Sequence, residues 1–389
     1  MTQHDDRTTT AAEAGLSRRG LFRAGAIGTA AAAASWGAAG PASATPAADA
    51  SPGAEHDDSG VTLVALGTAA GPPLEGGHAG ISTVLRVHGC NYVVDCGRGA
   101  VTQYNRAGLA LPDLAGIFIT HLHADHLADY YNFFLLGGWG DGDGRGDAGI
   151  TGTVPVVGPG PAGALPPAFG GGDVPTVAPE DPTPGLATLT RKSIEAHAYS
   201  TNVFLRDSGI PDVRDLIDVR EIEVPDVGAD PLGDTAPAME PFEVHEDDRV
   251  RVTAVLVPHG PVFPSFAFRF DTDAGSVVFS GDTARSDNVV RLARGADVLV
   301  HEAIDLDHYR SVGTPDVVLS HLEQSHTTTE DVGRVAQAAG VGTLVLSHLA
   351  PGAEGTVPDG RWVSRARRHF DGHVVRAREL MRLRVGTQR

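Results

Sequence analysis

Short apolar runs bounded by glycine occur in two parts of the chain, before and after an irregular middle region. Such runs, rich in valine, isoleucine and phenylalanine, are typical of β-strands. The first group comprises residues 61–68, 81–87, 91–95 and 116–120. The second group begins at RVTAVLVPHG and continues through FAFRF, SVVFSGD, ADVLVHE and TLVLSHL. The pattern therefore predicts two strand-rich regions.

Helical periodicity appears between these strands. The segments GAVTQYNRAGL (99–109), HLADYYNFFLLGG (126–138) and TTEDVGRVAQAAG (328–340) each fit a helix. In the second segment the apolar residues recur at the three- and four-residue spacing that gathers them on one helical face. Strands that alternate with helices predict an α/β fold.

The regular pattern is lost between about residues 160 and 249. Its first part, GPGPAGALPPAFGGGDVPTVAPEDPTPG, is rich in proline and glycine, which interrupt helices and strands. The next part, LATLTRKSIEAHAYSTNVFLRDSG, predicts one helix. We interpret this region as an insertion or lid within a domain that spans residues 60–389.

The N-terminal residues 1–44 have the features of a twin-arginine signal peptide. Arg18 and Arg19 precede a weakly apolar stretch at 24–40, and Ala42-Ser43-Ala44 supplies a cleavage motif. Residues 45–59 then form a polar linker. The expected location is outside the cytoplasm, in the periplasmic or cell-wall space or the medium. No later segment is apolar over the roughly 18 residues that a membrane span requires, so no stable anchor is expected.

Charge adds an expectation about partners. The 389-residue chain has a formal net charge of −19, which repels polyanions, whereas nucleic-acid-binding domains present basic surfaces. The cluster RWVSRARRHF (361–370) is interpreted as a solvated helix face. The charge therefore predicts that nucleic acid is an unlikely partner.

Candidate metal chemistry is concentrated in THLHADH, directly after the apolar strand at 116–120. His121, His123, Asp125 and His126 place three imidazoles and a carboxylate within six positions. These groups are the nitrogen and oxygen donors that zinc takes, and that manganese or iron also accept. Because a fold has little structural use for so dense a cluster, the segment predicts a metal site.

Three later segments share one design, an apolar strand followed by a residue that can bind a metal. They are AVLVPHG, VVFSGDT and LVLSHLA, which supply His259, Asp282 and His348. Each is weak evidence alone, but their joint order is specific.

That order resembles the metallo-β-lactamase superfamily. Segments such as GGHAGISTVLRVHGCNYVVDCGRG and SHTTTEDVGRVAQAAGVGTLVLSHLAP are similar to its ribonuclease Z and arylsulfatase-like branch. The resemblance covers about residues 61–160 and 251–351 but not the insertion. It implies an αββα sandwich with a two-metal site along one edge of its sheets.

The resemblance also implies roles for the candidate ligands. One ion would be bound by His121, His123 and His259, the other by Asp125, His126 and His348, with Asp282 bridging them. Two Zn²⁺ ions are expected, with Mn²⁺ or iron possible. Hydroxide generated by the ions would be the nucleophile, and Asp125 would be both ligand and proton acceptor.

His326, in SHTTTED, matches a position where ribonuclease Z relatives have a histidine suited to protonating the departing oxygen. The alternative is that His326 merely precedes the helix that starts near Thr328. Glu302, in VLVHEA, is expected to orient a ligand or His326.

Signal, charge and resemblance together predict an exported hydrolase with two metal ions. Its expected substrates are small anionic molecules with phosphodiester or aryl sulfate bonds, and the resemblance allows a homodimer. Two alternatives stay open: a ribonuclease Z-type endonuclease that processes tRNA 3′ ends, and a lactone or β-lactam hydrolase that uses the same metal centre.

Overall fold

The computed structural model describes residues 60–72, 77–137, 149–168, 171–353 and 355–386. The predicted signal peptide at 1–44 and the linker at 45–59 lie outside these residues. Among the described helices, none has the length and apolar character of a membrane span.

The described residues form fourteen strands in two seven-stranded sheets. The first sheet has the order β14-β1-β2-β3-β4-β5-β6 and contains β1 (Val61–Gly67), β2 (Ser82–Val87), β3 (Cys90–Val94), β4 (Leu114–Phe118), β5 (Val154–Pro159), β6 (Ile217–Ile222) and β14 (Arg382–Val385). The second has the order β13-β12-β11-β10-β9-β8-β7 and contains β7 (Phe242–Glu246), β8 (Arg251–Leu256), β9 (Phe266–Thr272), β10 (Gly275–Phe279), β11 (Val298–Ile304), β12 (Thr343–Ala350) and β13 (His373–Arg376).

The helices of the described residues are short. They are α1 (Ala100–Arg106), α2 (Ala124–Leu127), α3 (Asn132–Gly137), α4 (Leu186–Ala196), α5 (Ala198–Asp207), α6 (Val213–Leu216), α7 (Asp287–Leu292), α8 (Leu306–Ser311), α9 (Asp316–Ser325), α10 (Thr329–Ala339) and α11 (Asp359–Ala366). The single helix predicted over 126–138 is divided into α2 and α3. The backbone N–H of Asp129 donates to the carbonyl of Cys96, so it is not available to continue the helical ladder.

Both sheets follow the same pairing scheme. In the first, β14, β1, β2 and β3 pair antiparallel, whereas β3, β4, β5 and β6 pair parallel. In the second, β7 to β10 pair antiparallel and β10 to β13 pair parallel. Parallel strands bring their carboxyl ends to one edge of a sheet, where residues remote in sequence meet.

Alternating residues of the first sheet are buried on opposite faces. Phe118 packs edge-to-face against Phe270 of the second sheet, with ring centroids 4.9 Å apart, in the core between the sheets. Its neighbour Ile117 belongs to a second cluster that includes residues of α1 and α3. Helices α7, α10 and α11 contact the second sheet. Burial of both faces explains the nearly continuous apolar runs, and the predicted αββα sandwich is confirmed.

The region predicted as an insertion, about 160–249, supplies strands to both sheets. Strand β6 is the edge of the first sheet and β7 the edge of the second. The one helix predicted after the proline-rich stretch is instead two helices, α4 and α5. His197 separates them with φ −99° and ψ 7°, outside the helical range.

Candidate metal centre

The carboxyl ends of the strands deliver the candidate ligands to one site. Strand β4 ends at Phe118, and His121 and His123 follow it, whereas Asp125 and His126 lie in the first turn of α2. His259 comes three residues after β8 and Asp282 three residues after β10. Hydrophobic strands therefore fix the backbone from which most of these polar side chains emerge.

His348 reaches the site by a different local structure. It lies within β12, where the pairing with β11 shifts so that Ser347 is opposite Glu302 and Leu349 is opposite Ala303. The extra residue, His348, has φ 43°, in the left-handed region that non-glycine residues seldom occupy. Such a bulge redirects one side chain out of the ladder and is typical of functional sites. The sequence analysis placed His348 at the end of this strand; the structure places it inside.

The structure brings all seven predicted ligands together. They form two groups, in each of which the potential ligand atoms lie within 4.8 Å of one another: His121, His123 and His259 in the first, and Asp125, His126, Asp282 and His348 in the second. Oδ2 of Asp282, which belongs to the second group, lies 3.2 Å from Nε2 of His348 and is also 3.8 Å from Nε2 of His259 in the first group.

The donor atoms in this cluster suit cations. Nε2 of His126 and Nε2 of His348 face each other at 3.3 Å. Within the described part of the chain, Nε2 of His121 and Oδ1 of both Asp125 and Asp282 are buried without a hydrogen-bond partner. Each unsatisfied buried polar atom costs about 1–3 kcal/mol, and cations among these atoms would remove that cost. The residues present therefore fit metal ions.

Hydrogen bonds outside the cluster set the ligand tautomers. Nδ1 of His259 donates to the carbonyl oxygen of Ser325 at 2.8 Å, and Nδ1 of His126 donates to Oδ2 of Asp95 at 2.8 Å. A proton on each Nδ1 leaves the lone pair of Nε2 directed into the site, as metal binding requires.

Asp95 is a residue of the site that the sequence analysis did not single out. Its carboxylate also accepts from the backbone N–H of Thr120 at 2.8 Å and from the Thr120 hydroxyl at 2.9 Å. The feature of the sequence that could have identified Asp95 is its position at the carboxyl end of β3, beside the strand that leads into His121.

Electrostatics favours the protonation state that binds metals at His121, His259 and Asp125. Burial lowers the pKa of His259 to about 3 and that of His121 well below its usual range. Burial alone would raise the pKa of Asp125, but the hydrogen bond from His348 and the charge of His126 lower it. The first two imidazoles are therefore neutral and Asp125 is ionised.

At His126 electrostatics does not favour the protonation state that binds metals. Burial opposes protonation, but the carboxylates of Asp282 and Asp95 raise the pKa of His126 well above its usual range.

His326 lies beside both ligand groups. Its ring centroid is 5.2 Å from that of His259 and 5.9 Å from that of His348. Its Nδ1 is 3.0 Å from Oε1 of Glu302, which also accepts from the backbone N–H of Thr327 at 3.2 Å. Burial opposes protonation of His326, but the charge of Glu302 and this hydrogen bond raise its pKa to about 9. The imidazole therefore has a proton to donate at neutral pH.

Comparison with known proteins identifies the family. Residues 76–348 match the metallo-beta-lactamase superfamily. The chain belongs to this superfamily of metal-dependent hydrolases.

Ribonuclease Z proteins are among its homologues. Ribonuclease Z of Mycobacterium bovis (strain BCG / Pasteur 1173P2) is 28% identical over 329 residues, which cover 85% of this chain and 99% of the relative. Ribonuclease Z of Mycobacterium sp. (strain KMS) is 30% identical over 336 residues, covering 84% and 95%. The crystal structure of human tRNase Z, short form, covers 83% of this chain and 98% of its own, with 20% identity and a TM-score of 0.54.

These relatives correct the expected partner. The prediction of a small-molecule anionic ester as substrate, with nucleic acid unlikely, is wrong, because homologues over 85% of the chain are ribonucleases. The physical error was to apply the net charge of −19 to the whole surface. A polyanion responds to the local potential where it binds, and an acidic protein can have a basic region.

Proposed function

We propose that the protein is a ribonuclease Z-type endonuclease that hydrolyses phosphodiester bonds in RNA, with precursor tRNA as the reference substrate. The observation that carries this proposal is the pair His326–Glu302 beside the two ligand groups. Phosphodiester cleavage needs a proton donor for the departing oxygen. The ribonuclease Z relatives support the same reaction class.

The metal requirement follows from the two ligand groups. We propose that two divalent cations, zinc first, would be held by the two groups: one by His121, His123 and His259, the other by Asp125, His126, Asp282 and His348. Such ions polarise the phosphoryl group and lower the pKa of water.

Asp125 is suited to accept the proton of the attacking water. Its Oδ2 accepts from the backbone N–H of Gly71 at 3.1 Å and lies 3.4 Å from Nε2 of His348, whereas Oδ1 has no partner among the described residues. The lowered pKa keeps this carboxylate ionised near neutral pH.

His326 supplies the proton that the leaving oxygen needs. The oxygen of water bonds to phosphorus while the bond from phosphorus to the leaving oxygen breaks. His326 donates its proton to the leaving oxygen. Glu302 stabilises the charged imidazolium and fixes its ring through Nδ1, so Nε2 is the donating atom. Asp125 and His326 are thus the proposed catalytic residues.

Export by the twin-arginine route is a separate proposal that rests on residues 1–44 alone. N-terminal sequencing of protein from the culture medium or cell wall tests it, with a start near Thr45 as the expected result. Retention of the intact chain in the cytoplasm would contradict it. An exported enzyme would meet RNA outside the cytoplasm.

The catalytic proposal is tested with the purified, zinc-loaded full chain. Precursor tRNA, bis-p-nitrophenyl phosphate and p-nitrophenyl sulfate are offered in parallel, with and without chelator. The expected result is cleavage of the RNA and of the phosphodiester, abolished by chelation and restored by zinc. Hydrolysis of the aryl sulfate with intact RNA would overturn the proposal.

A further inference from the structure

We propose that the phosphate backbone of RNA binds an arginine strip that starts beside His326 and follows α10 to the end of α11. The strip consists of Arg285, Arg334, Arg368 and His369. This inference rests on the proposed function, because it assigns the surface that holds the same RNA away from the bond being cleaved.

The charge along the chain is asymmetric. Residues 361–389 contain nine arginines and two acidic residues, whereas the chain as a whole has a net charge of −19. Four of these arginines are already paired, Arg361 and Arg365 with Asp305 and Arg376 and Arg378 with Asp359. The remaining excess of positive charge favours an anionic partner. The first part of residues 361–389 lies at the end of α11, which packs beside α10. Helix α10 begins three residues after His326.

A cavity joins the catalytic histidine to the strip. It has a volume of about 300 Å³, and its lining includes His326, Arg285, Thr328, Asp331 and the ion pair of Arg310 with Glu323. Thr328 caps the N-terminus of α10, so the positive end of the helix dipole also faces this region. A phosphate next to the one being cleaved would meet the guanidinium of Arg285 here.

Contacts between side chains continue the strip from this cavity. Asp331 lies 3.5 Å from Nη1 of Arg285 and 2.8 Å from Nη1 of Arg334. Nη2 of Arg334 donates to Nε2 of His369 at 2.9 Å. Arg368, the neighbour of His369, is 64% exposed. From Thr328 to Arg334, α10 rises about 9 Å, so the strip leads away from the metal centre.

Acidic neighbours reduce the positive charge of the strip without cancelling it. Three arginines are paired with two carboxylates, those of Glu330 and Asp331, which leaves one net positive charge. A guanidinium has five N–H donors, so contact with one carboxylate leaves donors for a phosphate.

The test compares two substrates of the same enzyme. In the double variant Arg334→Ala/Arg368→Ala we expect KM for precursor tRNA to rise about tenfold at low salt. The slope of log(kcat/KM) against log[salt] should become shallower by roughly 1.4, since each of the two lost phosphate contacts removes about 0.7 for single-stranded RNA. Turnover of bis-p-nitrophenyl phosphate, which is too small to reach the strip, should stay unchanged and shows that the variant is folded.

Two control variants test whether the effect depends on the arginines of the strip or on the loss of positive charge anywhere on the protein. Arg220→Ala/Arg251→Ala removes two arginines that are 52% and 56% exposed on β6 and β8, and should leave both substrates unaffected. Arg334→Lys/Arg368→Lys keeps the charge and should restore most of the salt dependence. An unchanged KM and salt slope in the alanine variant would overturn the inference.

Direct binding distinguishes this inference from the proposed function. Filter binding of precursor tRNA to the wild-type chain and to the alanine variant does not require cleavage. Binding that weakens in the variant, without cleavage by the wild type, would keep the strip and reject the nuclease. Cleavage with equal binding by both proteins would keep the nuclease and reject the strip. Absence of binding by the wild type would reject both.

Discussion

Oε1 of Glu302 lies 3.0 Å from Nδ1 of His326, and the same oxygen accepts backbone N–H groups from Thr283 and Thr327. These bonds fix the carboxylate between the residue that follows Asp282 and the residue that follows His326. The position of His326, the proposed proton donor, is therefore linked to that of Asp282, a proposed metal ligand.

Removing the charge of Glu302 should change the pH dependence of catalysis. In the proposed mechanism His326 acts as an acid, so activity should be lost as pH rises through its pKa. Burial lowers that pKa, but Glu302 is the main group that raises it to about 9. In Glu302→Gln that pKa falls, and the alkaline limb of the kcat profile should move to lower pH. Glu243→Gln, at an exposed site on β7, should leave the profile unchanged. An identical profile in Glu302→Gln would exclude this electrostatic role.

Replacement of His326 should depend on the leaving group. In His326→Ala we expect kcat for RNA to fall about 10²- to 10⁴-fold, the usual contribution of a general acid. The nitrophenyl ester has a better leaving group and should lose much less. Steady-state rates on both substrates check this, with His308→Ala as the control. Equal losses on the two substrates would indicate a structural role instead.

Asp95 should control metal affinity through His126. Asp95→Asn removes the carboxylate that accepts from Nδ1 of His126 at 2.8 Å, and loss of such a partner typically costs 10- to 100-fold in affinity. Zinc titration by calorimetry should show weakening of one binding event. Asp273→Asn, which changes an exposed carboxylate beside His88, supplies the control. If both zinc affinities were unaltered in Asp95→Asn, the role assigned to Asp95 would be contradicted.

Metal removal should destabilise the folded chain. Cations that bind the folded cluster stabilise it by about 2.7 kcal/mol when free metal is 100 times Kd, so chelation should lower Tm in a scan of the full chain. In His348→Ala the effect of chelation should be smaller. Identical melting curves with and without chelator would show that this cluster binds no metal tightly.

The order of the motifs, through its resemblance to a known family, implied the sandwich. The seven residues that the structure gathers at one site were named from sequence because ligand motifs are local signals. The bulge at His348 was not predictable, since it depends on the register between β11 and β12. Asp95 was missed because an acidic residue at a strand end is ordinary until its neighbour is known. The contact between Arg334 and His369 joins residues 35 positions apart, and so the net charge could not reveal a local basic surface.

Zinc titration of a single-turnover precursor tRNA cleavage assay tests the central claim most directly. The metal-free full chain should leave the RNA intact, and cleavage should rise to a maximum at two zinc ions per chain. Cleavage that is independent of zinc, or RNA that stays intact with two ions bound, would contradict the account.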